Sequence, residues 1–186
     1  MVVPKPRDPD NIRLCVDLRA ANQVIGRVKR PMPTLHELIH DLNGCCVFTK
    51  LDLNQGYHQV ELHPDSRYIT TFSSHLGLHR LNFGVNAASE KFQQIIEQVL
   101  QGLDGVKNIS DDIIIASRND VGHEKHVRAC LERLMKKSLT LNRNKCKFFQ
   151  SSVEFNGSIF SEHCVSPDPK KSSLFVMRRN RQISDR

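Results

Sequence analysis

Val106-Lys-Asn-Ile-Ser-Asp111-Asp112-Ile113-Ile-Ile-Ala116 reads as two short apolar strands, Val106 to Ile109 and Ile113 to Ala116, joined by a tight bend that carries two adjacent carboxylates. A third carboxylate, Asp52, sits in the apolar frame Val47 to Leu53. Burial at the end of a β-type stretch penalises a carboxylate's charge unless a cation offsets it. Hard divalent ions take oxygen ligands of this kind, so the pattern points to two-metal phosphoryl or nucleotidyl transfer.

On the N-terminal side, Cys46 to Asp52 is rich in β-branched and aromatic residues and reads as a buried strand. Ahead of it, Pro4, Pro6 and Pro9 exclude helix, Asp10-Asn11 favours a reversal, and Ile12 to Asp17 reads as a strand. Helices are expected at Leu18 to Ile25 and from Thr34, an N-cap with Glu37 three residues on, to Leu42. After Asp52, Asn54 to Tyr57 suits a helical turn, while Gln59 to Leu62 and Tyr68 to Phe72 read as strands. Phe92, Ile95, Ile96, Val99 and Leu103 recur at helical spacing, so a helix is expected from Ala87 to about Leu103, closed by Gly102 and Gly105. Beyond the hairpin, Asp120 to Lys137 is amphipathic through Val127, Leu131 and Leu134. Lys145 to Phe149 and Val153 to Phe160 then give short strands around Gly157. The sum is an α+β fold, an antiparallel sheet with helices packed on one face, with a smaller subdomain ahead of it.

At 186 residues, with 39 % hydrophobic and 25 % charged side chains, the chain can bury one substantial core. A net charge of +7 and a pI near 9.3 favour a polyanionic partner, although the stretch from Lys170 to Arg186 supplies much of the excess. The six cysteines form no C-x-x-C pair and follow no secretory leader, which fits a reducing compartment. No stretch approaches the roughly 20 apolar residues of a membrane helix, so no membrane role is expected.

Three blocks in order form a recognisable series: Phe48-Thr-Lys-Leu-Asp52-Leu-Asn-Gln-Gly-Tyr57-His-Gln-Val, then Leu81-Asn-Phe-Gly84-Val-Asn-Ala-Ala-Ser-Glu-Lys-Phe92-Gln93, then Asn108-Ile-Ser-Asp111-Asp112. Together they resemble the polymerase motifs of reverse transcriptases from Gypsy-type long-terminal-repeat retrotransposons. Ile12-Arg13-Leu-Cys-Val-Asp-Leu-Arg19 is similar to the family's fingers strand, Leu139 to Lys147 to the palm's later motif, and Val165 to Lys171 to the lead toward the thumb. Ile109 stands where most members carry tyrosine, His79-Arg80-Leu81 is shorter than usual, and Ser172 to Arg186 departs from the pattern.

The resemblance implies a right-hand polymerase piece: partial fingers over residues 1–45, palm over 46–171 with a fingers insertion around 63–82, and a divergent basic tail over 172–186. It implies RNA-directed DNA polymerase activity, with Asp52, Asp111 and Asp112 as catalytic ligands of two Mg²⁺ ions, Mn²⁺ being a substitute. Arg13, Tyr57, Phe83 and Gly84 would bind the incoming deoxynucleoside triphosphate, and Gln93, Phe155 and Gly157 the nucleic acid. Partners would be a primed RNA or DNA template. The setting would be intracellular, in the cytoplasm or a virus-like particle, and not secretory.

Two alternatives accompany this reading. One is a palm-like remnant, a truncated element copy that binds nucleic acid weakly and catalyses nothing. The other, more remote, is a zinc metalloprotease, because His36-Glu-Leu-Ile-His40 fits H-E-x-x-H. The extended zincin form would want Gly at 43 and His at 46, where this chain has Asn43 and Cys46.

Overall fold

The computed structural model describes residues 2–5, 8–14, 17–26, 35–70, 84–162 and 165–167. An N-terminal antiparallel pair, β1 (Val2–Lys5) and β2 (Asp8–Leu14), precedes the short helix α1 (Arg19–Val24) and α2 (Leu35–Leu42). The palm sheet follows from β3 (Val47–Asp52), β4 (Val106–Ile109), β5 (Asp112–Ser117) and β6 (Lys147–Gln150) in the order β4-β5-β3-β6, antiparallel throughout. Helix α3 (Ala88–Leu100) leads into β4, and α4 (Asp120–Lys136) follows β5. A separate three-stranded antiparallel sheet, β7 (Ser152–Phe155), β8 (Ser158–Ser161) and β9 (Val165–Pro167), completes the described chain.

The Ile113-Ile114-Ile115 run is apolar at every position because both faces of the palm sheet are covered. Strand side chains alternate between faces. Leu51, Ile113 and Ile115 pack with Phe92, Ile96, Val127 and Leu134 of the two long helices. Phe48, Ile114 and Ala116 pack the other way, with Leu42, Val153, Phe155 and Phe160. Each buried isoleucine contributes about 1.5–3 kcal/mol relative to exposure. The helix-side core also takes in Cys130, whose thiol burial pushes up to about 12.

The expected α+β architecture, with α3 and α4 on one sheet face, is the observed one. Several local readings differ. The reversal assigned to Asp10-Asn11 falls earlier, since β2 already begins at Asp8, paired with Lys5, and a two-stranded edge tolerates Pro9. Gln59 to Leu62 is not a strand. A 3₁₀ turn, Gly56–Gln59, takes its start, and the Gln59 amide does the bonding a ladder would do, donating to the Asn54 and Thr140 carbonyls at 2.6 and 3.0 Å while its own oxygen accepts from the Thr140 N–H at 2.6 Å. The strand expected at Tyr68 to Phe72 is 3₁₀ helix up to Thr70, entered through Pro64; positions 71 and 72 lie outside the described residues. Thr34 lies outside them as well. Helix α3 stops at Leu100, and Gly102 at φ +79 with Gly105 at φ +68 turns the chain into β4. A Cβ at Gly105 would stand 2.5 Å from the Ala116 carbonyl oxygen, so only glycine fits between helix and strand.

Candidate active site

The last residue of β3 and the first of β5 are cross-strand partners: Asp52 lies opposite Asp112. Directly opposed residues project to the same face, so these two carboxylates share the side of the sheet that carries Lys50 and Ile114. One residue further on, the Leu53 N–H donates to the Asp111 carbonyl oxygen at 2.9 Å, which fixes the bend against the end of β3. Ser110, in the left-handed region at φ +57, makes the reversal.

From α3, Gln93 braces this bend. Its Oε1 accepts from the Ser110 N–H at 2.7 Å, and its Nε2 donates to the Asn108 carbonyl at 3.1 Å and to Glu97 Oε1 at 2.9 Å. Gln93 is 2 % exposed and its amide is fully engaged, so its place is beneath the hairpin and not on a surface that a nucleic-acid strand reaches. The same correction applies to Phe155, a core residue 0 % exposed whose ring meets Phe160 edge-on at 6.4 Å. Gly157, at φ +81 in the turn between β7 and β8, is partly exposed.

Asp52 is only 8 % exposed. Burial raises its pKa above the usual carboxylate value; Lys145 opposes that rise, and the neighbouring charges of Asp112 and Asp111 add to it. Two ammonium groups offset the charge: Lys145 Nζ stands 3.2 Å from Asp52 Oδ2, and Lys50 Nζ stands 2.9 Å from Asp112 Oδ2. The sequence reading did not single out either lysine. The available signals were a cation inside the apolar strand Val47–Asp52, and the position of Lys145 in the Leu139 to Lys147 block.

Tyr57 lies in the 3₁₀ turn after β3, its ring centroid 4.8 Å from that of Phe92. Beneath it, a Cβ at Gly56 would come within 2.7 Å of Phe92 Cζ and 3.2 Å of Asp111 Cβ, so glycine lets the turn close on the carboxylate bend. Gly84, at φ +98, is held from α1: Asn22 Nδ2 donates to its carbonyl at 2.8 Å, and Asn22 Oδ1 accepts from the Asn86 N–H at 2.9 Å. Asn22 and Asn86 had no sequence signal beyond their polarity. Arg13 lies on β2 opposite Val3, and Phe83 is outside the described residues.

Among the described residues, no three His, Cys, Asp or Glu side chains are grouped closely enough to hold a metal by themselves. Of the H-E-x-x-H match, Glu37 and His40 are exposed on α2, and the side chain of His36 is not among those described. For the carboxylate pair the requirement is different. Mg²⁺ is commonly held by one or two carboxylates, with waters and substrate phosphates completing its shell. Asp52, with the charges of Asp112 and Asp111 both acting on it, fits that donor set, and ammonium groups already stand on Asp52 (Lys145) and Asp112 (Lys50).

An antiparallel sheet with carboxylates meeting at the end of its central strands has the layout of a right-hand polymerase palm. Residues 3–160 match the family model described as reverse transcriptase (RNA-dependent DNA polymerase), and the chain belongs to that family. It is 35 % identical over 166 residues, 87 % of its length, to the retrovirus-related Pol polyprotein from transposon gypsy of Drosophila melanogaster, and spans 16 % of that polyprotein. Among solved structures, the foamy viral protease-reverse transcriptase dRH in complex with double-stranded DNA superposes with a TM-score of 0.83 at 20 % identity, covering 93 % of this chain and 31 % of that one. The same viral protein in complex with an RNA/DNA hybrid gives 0.80 at 19 % identity, covering 93 % and 24 %. These last two likenesses speak for the fold. Reverse transcriptases as a family work with divalent metal ions.

Proposed function

We propose that this chain is the fingers and palm portion of a Gypsy-type polymerase that copies a primed RNA or DNA template by joining a deoxynucleoside triphosphate to the primer 3′-hydroxyl. The observation that carries the reading is the Asp52–Asp112 pairing at one end of the sheet, with Asp111 at the adjoining bend and its charge acting on Asp52. Mg²⁺, or Mn²⁺ in its place, would lower the pKa of the attacking hydroxyl and neutralise the triphosphate. Asp52 and Asp111 would hold the ions. Lys145, on an exposed and flexible stem, would yield Asp52 when an ion arrives.

Tyr57, propped on Phe92, would lie beneath the sugar of the incoming nucleotide. Gly84, with Phe83, would border the nascent base pair, where a missing Cβ permits close approach of backbone to base. Arg13 would take triphosphate oxygens with its guanidinium fork. Gly157 would let the β7–β8 turn approach the primer strand. On this reading residues 1–45 are fingers, 46–171 palm with an insertion at 63–82, and 172–186 an appended basic segment, and the protein works inside the cell or a virus-like particle.

One observation favours a second reading, a palm that binds nucleic acid without catalysis: Asp52 and Asp112 each already carry a lysine. Primer extension with the purified chain separates the two. Labelled product in Mg²⁺ that falls by roughly a thousandfold on Asp52→Asn or Asp111→Asn supports the polymerase. No product in either Mg²⁺ or Mn²⁺ supports the binding-only palm.

A further inference from the structure

We propose that Lys50 is a built-in counter-ion that withdraws Asp112 from metal binding and joins the carboxylate hairpin to the β7–β8 hairpin, leaving Asp52 and Asp111 to take the ions. The inference rests on the polymerase reading and names a positioning residue within it. Lys50 lies two residues before Asp52 on β3, opposite Ile114, and so shares the face of the sheet on which Asp52 and Asp112 meet. Its Nζ donates to Asp112 Oδ2 at 2.9 Å and to the Glu154 carbonyl oxygen at 3.4 Å, and lies 5.9 Å from the centroid of the Phe155 ring.

The two lysines of the site differ in how firmly they are held. The Lys145 side chain is 62 % exposed and makes one bond to Asp52, whereas that of Lys50 is 20 % exposed. A largely desolvated ammonium must have its donors taken. Here a carboxylate, a main-chain carbonyl and an aromatic face take them, on two different hairpins. Lys145 can return to water when a metal ion approaches Asp52; Lys50 has no comparable route, because leaving would strand Asp112 without its cation and free the Glu154 carbonyl. The Lys50–Asp112 pair is therefore a neutral unit inside the site. It also sets how far the β7–β8 turn stands from Asp52 and Asp111.

The test is Mn²⁺ binding to the full chain without nucleic acid, followed by paramagnetic resonance of the free ion, with primer extension alongside. Lys50→Met removes a positive charge and releases Asp112, so Mn²⁺ should bind about tenfold tighter while extension falls. Asp112→Asn leaves the ammonium unopposed and should weaken binding about tenfold. The double variant Lys50→Met/Asp112→Asn removes both charges and should return within about twofold of the parent, and Lys50→Arg should match it. A double variant that binds more than about tenfold worse than the parent would make Asp112 a ligand in its own right and overturn the proposal. So would unchanged Mn²⁺ affinity in Lys50→Met, or a parent that binds no Mn²⁺ and gains none from that change. If Lys50→Met does not fold alone, the double variant is set against Asp112→Asn, where about tenfold tighter binding is expected and equal affinity overturns the idea. A parent that binds Mn²⁺ yet extends no primer defeats the polymerase reading, while the charge cycle still decides the role of Lys50.

Discussion

Where β3 and β5 face the two long helices they present Leu51, Ile113 and Ile115; where the same strands face β7 and β8 they present Phe48, Ile114 and Ala116 and then, at one end, Lys50, Asp52 and Asp112. The helix side is not wholly apolar: around His123 its polar atoms are stitched together, while Asn108 Nδ2 is buried without a partner among the described residues. Thr49 Oγ1 lies 2.7 Å from His123 Nε2 and accepts from the Phe149 N–H at 3.2 Å, and His123 Nδ1 lies 3.1 Å from Ser117 Oγ. A period of two residues lets one strand be sealed core on one side and carry ionisable groups on the other. The charges collect on the face roofed by a thin sheet, at the end where that roof stops and the chain bends.

The largest effect that would break this comparison comes from the paired isoleucines. Ile115→Ala and Ile114→Ala should each cost about 2–5 kcal/mol in denaturant unfolding, because both are fully buried. Only the Ile114 change should also depress primer extension at temperatures where both variants are folded. Equal depression by Ile115→Ala would mean the helix side feeds the site directly. Smaller is Thr49→Val, which strips the His123 ring nitrogen and the Phe149 N–H of their shared partner and should cost about 1–3 kcal/mol. Mn²⁺ affinity should not move with it, and a shift there would show that the stitched side is coupled to the carboxylates.

The smallest effect is in pH, and the two faces respond in opposite directions. Burial holds His123 below its ordinary value of 6.5, so its neutral form is favoured in the fold. Its contribution is whole above pH 6.5 and is lost as the pH falls through the lower folded value. Asp52 is raised above its ordinary 3.8, chiefly by burial, so its contribution is whole below 3.8 and is lost as the pH rises through the folded value. At pH 7 Asp52→Asn should therefore stabilise the fold slightly even as it abolishes extension. His123→Gln should flatten the acid limb of a stability–pH curve. If Asp52→Asn destabilises at neutral pH, the carboxylate is not the strained member of its face.

The hairpin was legible because an Asp-Asp pair between two apolar runs leaves the chain few other conformations, and Asp52 because the residues around it fix its frame. The lysines that answer these acids were not legible: a four-carbon stem reaches in any direction, and spacing along the chain does not reveal which carboxylate it finds. Gln93 and Phe155 were expected to meet nucleic acid because motif position says nothing of what packs above a residue; the β4–β5 hairpin closes over one and β8 over the other. Gln59 to Leu62 has strand composition, yet the Gln59 side chain makes the bonds to Thr140 that a backbone ladder would otherwise have made.

Cys130, sealed in the helix-side core with its thiol pushed up to about 12, has a use that its inertness creates. An alkylating reagent needs a solvent-facing thiolate, which the native chain does not offer at this position. Its labelling rate therefore acts as a clock for how often α4 lifts from the sheet, and added template, nucleotide or metal should slow that clock only insofar as it holds the helix layer down.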